Sequence, residues 1–152
     1  MGWLELGNST EAKAELAQIS PRLQKHPAAL ELRWLICAKE QQWEEGLRFA
    51  DAMIAEAPEE PSGWLHRAYA LRRVPSGTLQ LAWDALRPAA DKFPKEAIIA
   101  FNLACYACQM QQMDTALVWL KRAMEKDERD QIKKMALEDP DLQPLSKEIQ
   151  TL

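Results

Sequence analysis

An all-α fold, built from antiparallel helix pairs repeated along the chain, is predicted by three observations. Ala, Leu, Glu, Lys and Gln dominate while Val, Ile and Thr are scarce, which favours helix over strand. A column of small residues recurs at a nearly fixed period: Gly46 lies 34 residues after Ala12, Ala82 36 after Gly46, and Ala116 34 after Ala82. Prolines fall between the helix-period stretches, at Pro27, Pro58 with Pro61, and Pro94, where a continuing helix would be broken.

Composition bounds the rest. The 152 residues are 47% apolar and 28% charged, a globular balance with enough chain for one domain and its core. The net charge is −4 and no run of Lys and Arg exceeds two, which argues against nucleic-acid and anionic-membrane partners. No apolar run approaches the roughly 18–20 residues needed to cross a bilayer. The opening MGWLELGNST has neither a basic leader nor an apolar signal core, and Leu6 stands where a myristoylation motif needs Ser or Thr. These features predict a cytoplasmic protein. Three cysteines, Cys37, Cys105 and Cys108, are an odd set that argues against a disulfide framework.

Each column member opens a stripe at i, i+4, i+7, one face of a helix. Leu16, Ala50, Leu86 and Leu120 come four residues on, and Ile19, Met53, Ala89 and Ala123 three further. A preceding helix carries Leu30, Trp34 and Cys37, then Trp64, Ala68 and Leu71, then Ala100, Ala104 and Ala107. Polar connections join the two helices of each pair at Gly7-Asn8, Gln41-Gln42, Pro75-Ser76-Gly77 and Gln111-Gln112. The third holds two extra residues, which accounts for the longer interval. This pattern implies a single domain over 1–152, with a partial repeat at 1–26, repeats at 27–60, 61–94 and 95–127, and capping helices at 128–152.

These residues resemble the tetratricopeptide repeat. Asn102-Leu103-Ala104, Ala116, Ala123-Met124 and Asp127 match that family's pattern, as do Trp64, Ala68, Ala82, Ala89, Phe93 and Pro94. Leu6 to Ala12 resembles its turn into a second helix, and Ala136-Leu137-Glu138-Asp139-Pro140-Asp141-Leu142 resembles the ending of some bacterial members. The resemblance covers about residues 1–127 and implies a right-handed superhelix, an α-solenoid of about three and a half repeats plus the cap.

The chain departs from that pattern in three places. Trp34 stands where the first helix normally carries a small residue, opposite Gly46 and Ala50, so one large side chain fills the room left by two small ones. Pro21 and Pro88 fall late in second helices and should kink or end them. Met1 to Leu6 supplies only the last turn of a first helix, leaving Trp3 little to pack on. In the cap, Arg129 to Leu137 reads as a helix with Ile132, Met135 and Ala136 inward. Asp139-Pro140 then caps a last helix to about Gln150 with Leu142, Leu145 and Ile149 on one face. Trp119 is the residue this cap is expected to cover.

Chemistry has one motif to offer, Cys105-x-x-Cys108. A redox pair needs a thiolate at a helix N-terminus and a zinc site needs two further ligands, whereas these cysteines fall mid-helix and His26 and His66 belong to other repeats. With no phosphate loop, nucleophile elbow or HExxH run, no catalytic residue, metal or cofactor is assigned and the chain is read as a non-enzyme.

The resemblance implies that first helices line a concave groove for a protein or peptide ligand. The matching positions are Glu31, Leu35 and Ala38, then Leu65, Tyr69 and Arg72, then Phe101, Asn102, Cys105 and Cys108. With Lys39, Arg72 and Arg73 nearby, a segment with apolar anchors and an acidic group suits that face. The family's clamp for chaperone tails is not reproduced, since only Asn102 matches it. The expected function is therefore a non-catalytic scaffold for protein–protein interaction. Self-association into a homo-oligomer is the alternative, ahead of a thiol-redox protein or an RNA-binding helical repeat.

Overall fold

The computed structural model describes residues 9–152. The helix read at Met1 to Leu6, its Trp3 and the Gly7-Asn8 turn lie outside those residues. Among the described residues there are nine α-helices, two 3-10 segments and no strand. Contacts divide the chain into two compact units, Met1–Gly77 and Thr78–Leu152, with the division at the inserted loop of the third repeat.

The first unit holds α1 (Ser9–Gln18), a 3-10 turn (Pro21–Leu23), α2 (Pro27–Lys39), α3 (Trp43–Glu56) and α4 (Pro61–Leu71). As expected of Pro21, α1 has ended before it, and the proline opens the 3-10 turn instead. His26 caps α2 through Nδ1, which accepts from the Ala28 N–H, with Pro27 at the first helical position. Helix α3 packs against both α2 and α4. Leu30, Trp34, Ala50 and Met53 form one core cluster of the unit. The Trp34–Gly46 pairing holds: a Cβ on Gly46 would meet Cys37 Cβ at 3.4 Å and Trp34 Nε1 at 3.7 Å. A methyl would just touch there, and anything larger would collide. In the inserted loop a Cβ on Gly77 would lie 1.8 Å from the Leu71 carbonyl oxygen, so only glycine fits.

The second unit holds α5 (Leu79–Lys92), α6 (Ala97–Gln109), α7 (Met113–Lys126), α8 (Arg129–Glu138), a 3-10 segment (Pro140–Leu145) and α9 (Ser146–Thr151). Thr78 caps α5, its hydroxyl accepting from the Leu81 N–H at 3.0 Å. Pro88 does not end α5, which runs on to Lys92. The proline removes one backbone bond, but Ala82, Leu86 and Ala89 are fully buried, and that face holds the helix in place. Helix α6 packs against α5, α7 and the 3-10 segment. The last helix is shorter than the sequence suggests. Asp139 caps as expected, accepting from the Asp141 N–H at 2.8 Å, but a 3-10 segment precedes α9. Pro144 explains this, because it cannot donate the bond an α-turn would need there. Leu142, Leu145 and Ile149 are buried as the pattern predicts. Trp119 is buried, but its ring meets Trp83 edge-on at 6.0 Å with Arg87 and Arg122 over it, partners on α5 and α7 and not in the cap expected to cover it.

Helices α2 and α6 occupy the same register. Each has 13 residues, each turn has a glutamine with positive φ (Gln41 at 59°, Gln111 at 65°), and α3 and α7 each have 14. Every residue of α2 is matched by the α6 residue 70 positions on.

Candidate functional site

The positions expected to line a groove separate by unit. In the first unit Leu35 is 39% exposed and Tyr69 38%, while Glu31, Ala38, Leu65 and Arg72 are half-buried. In the second unit Phe101 and Cys105 are each 4% exposed, Cys108 is 0%, and Asn102 is half-buried. The expectation that Phe101, Cys105 and Cys108 face an open groove is therefore corrected. The chain's own 3-10 segment packs on α6, and the Gln109 side chain donates to the Asp141 carbonyl oxygen at 2.9 Å.

Around Leu35 the first unit has an open cleft of about 550 Å³, lined among others by Leu16, Ile19, Leu23, Leu32 and Leu35. Leu23 is half exposed at its rim. Sequence reasoning placed Leu35 on this face but missed the aromatic cluster beside it. Trp34 stacks on His66, with ring centroids 3.8 Å apart and planes 9° apart. Tyr69 meets Trp34 edge-on at 5.8 Å and tilts against Trp43 at 5.8 Å. The Arg73 guanidinium lies 3.5 Å over the Tyr69 ring and 5.3 Å over that of Trp43, and it donates to the Tyr69 carbonyl oxygen. The signal was present: Trp34, with His66 and Tyr69 on the next first helix, puts three rings at one inter-helix contact.

His66 Nε2 stands 3.4 Å from Glu31 Oε1. Burial against Trp34 pushes the imidazole pKa down from its ordinary value, and the Glu31 carboxylate offsets part of that. The thiols are all buried. Burial holds Cys37 up at about 11, and burial followed by the Asp141 charge raises Cys108 as well. Cys108 Sγ points to Met113 Sδ at 3.8 Å.

Among the described residues one side-chain group has ligand-like chemistry: Cys105 Sγ and carboxylate oxygens of Asp139 and Asp141 lie within 4.8 Å of one another. The capping bond from the Asp141 N–H accounts for where Asp139 sits. No helix among the described residues is long and apolar enough to cross a membrane.

No protein-family model matches the sequence, and no curated protein matches it. Solved structures do match. MamA 41-end from Desulfovibrio magneticus RS-1 aligns with a TM-score of 0.70 at 21% identity, over 85% of this chain and 71% of that one. A MamA RS-1 ArsTM double mutant gives 0.69 at 21% over the same shares, and MamA MSR-1 C2 gives 0.66 at 19% over 84% and 72%. At these identities the likeness establishes the fold, an all-α, tetratricopeptide-like array of helix pairs.

Proposed function

We propose that the chain is a non-catalytic interaction module that binds a peptide or protein segment on the exposed face of its first unit. The observation that carries this reading is the contrast at matched positions. Leu35 and Tyr69 are exposed beside an apolar cleft, whereas Phe101, Cys105 and Cys108 are covered by the chain itself. Aliphatic and aromatic side chains held on rigid helices, with cationic Lys39 and Arg73 beside them, suit an extended or helical segment with apolar anchors. A cytoplasmic location goes with this reading.

The raised pKa of Cys108 speaks against a thiol enzyme, which needs a ready thiolate. The net charge of −4 speaks against an RNA partner. Self-association is the second reading, favoured by exposed Leu23 and Leu35 on one cleft. Selection of displayed peptides on the full chain tests the first reading. Selected peptides should lose binding to Leu35→Glu and Tyr69→Ala and keep it with Cys105→Ser. Equal binding to all three variants would sink the assignment, and light scattering at high concentration decides the second reading.

A further inference from the structure

An arginine recurs at one register position of the first unit, and its two copies have different surroundings. A shift of 34 residues lays α1 and α2 on α3 and α4, start to start: Ser9 falls on Trp43 and Pro27 on Pro61. Under that shift Arg33 falls on Arg67 and Ala17 on Asp51. Between α3 and α4 base and acid meet. Arg67 Nε stands 3.0 Å from Asp51 Oδ1, an ion pair although not aligned as a hydrogen bond. Between α1 and α2 the carboxylate is missing, because alanine stands where Asp51 would be.

A cavity of about 290 Å³ lies at that place, among α1, α2 and α3. Ala17 and Arg33 both line it, with Leu16, Ile36, Gln42 and Phe49. Arg33 is held there but not neutralised. Its Nη2 donates to the Gln24 side-chain oxygen, and its guanidinium carbon lies 5.8 Å from the Phe49 ring centroid. Its Nε is buried and finds no acceptor, and no carboxylate pairs with it among the described residues. The other charges of the lining lie elsewhere: Lys13 is paired with Glu40 at 2.5 Å, and Glu45 is exposed in the first turn of α3.

A half-buried guanidinium with a spare N–H and no counter-charge costs free energy, because nothing offsets its desolvation. The helix pairs have an uncharged solution to this position. The matching residue of α6 is Leu103, which is fully buried. Packing therefore does not require the cation, and a ligand would supply what Asp51 supplies to Arg67.

We propose that this cavity binds a small organic carboxylate. The ligand's carboxylate lies on Arg33, at the place where Asp51 stands beside Arg67, and its apolar body lies between Leu16, Ile36 and Phe49. A guanidinium presents paired N–H groups that match the two oxygens of a carboxylate. The volume sits at the small end of the roughly 300–1,000 Å³ of ligand pockets, which suits a body of one ring or a short alkyl chain. The proposal stands apart from the peptide-binding reading, since neither Leu35 nor Tyr69 lines the cavity.

Benzoate and hexanoate, each titrated into the full chain by calorimetry, test this. At least one acid should bind saturably, and its neutral amide about tenfold or more weakly. Arg33→Leu, which copies α6, should lose binding by a similar factor or more. Ala17→Asp separates this site from any other. Ala17 is exposed, so an aspartate fits, and it brings the missing carboxylate from within the chain. That variant should no longer bind the acid, and without ligand its thermal midpoint should exceed the parent's. The acid should raise the parent's midpoint with concentration and leave that of Ala17→Asp unmoved. Binding of neither acid would overturn the proposal, as would an amide that binds as tightly as its acid. Binding that survives Ala17→Asp or Arg33→Leu would place the ligand elsewhere and overturn it too. Inorganic phosphate binding as tightly as the acids would overturn the carboxylate class.

Discussion

Helices α2 and α6 have the same length, the same turn and the same place in their helix pairs, yet α6 buries ten of its 13 residues and α2 only four. Part of the difference lies in the helix before each pair, since α5 packs on α6 more extensively than α1 does on α2, and part in the chain that comes after it. After α7 the chain supplies α8, the 3-10 segment and α9, and it lays the 3-10 segment on α6. Among the described residues the first unit has no such covering on Leu35, which stays exposed. A repeat register therefore tells which side chains share a face and leaves open whether the face is free. The terminal element decides that, because it is where an array satisfies its own apolar surface.

The largest effect should come from removing a covering anchor. Leu142→Ala is expected to cost about 2–5 kcal/mol in denaturant unfolding, since Leu142 is fully buried, and to expose Cys105 and Cys108 to thiol reagents. By contrast Leu35→Ala, on the uncovered face of the first unit, should stay within about 0.5 kcal/mol, as exposed positions do. Equal losses at the two sites would erase the contrast. Next comes Gly46→Leu. The space beside Gly46 admits one methyl against Trp34 and Cys37, so overpacking should cost about 1–3 kcal/mol, whereas Gly46→Ala should be neutral or stabilising. A Leu variant as stable as the parent would separate Gly46 from Trp34. Smaller again is Asp139→Ala, which removes the acceptor for the Asp141 N–H and should cost about 1 kcal/mol. Its thiol reactivity should rise less than that of Leu142→Ala, because the cap holds the covering segment's turn and not its anchors.

Much of the fold was legible because small-residue columns and prolines are local signals. Ala12, Gly46, Ala82 and Ala116 are all buried where their period put them. The open face was legible only in the first unit. The covered one carried a signal of its own: AIIAFNLACYACQ contains no charged residue, and a helix apolar all round is a buried helix. By contrast α2 carries Glu31, Arg33 and Lys39. Repeat register is the same for both helices and does not carry that difference. The continuation of α5 through Pro88 and the 3-10 start of the last segment were not legible, because each depends on how much burial outweighs a lost backbone bond.

The smallest effect is a pH dependence specific to the first unit. His66 is stacked on Trp34 and desolvated, which lowers its folded-state pKa below its ordinary 6.5, with Glu31 pulling the other way. The folded state then binds a proton less readily than the unfolded chain, so stability rises with pH between the folded and unfolded values. The contribution is complete above 6.5 and is lost as pH falls through the lowered folded value. His66→Phe keeps a ring against Trp34 and removes the titration, so its unfolding free energy should be flatter than the parent's across that window. Near neutral pH the two should be close. Because Tyr69 stands on the same Trp34 ring, acidification should also loosen the first unit's face before it touches the second unit's thiols. Thiol reactivity of Cys105 and Cys108 that rises together with the His66 transition would refute that independence.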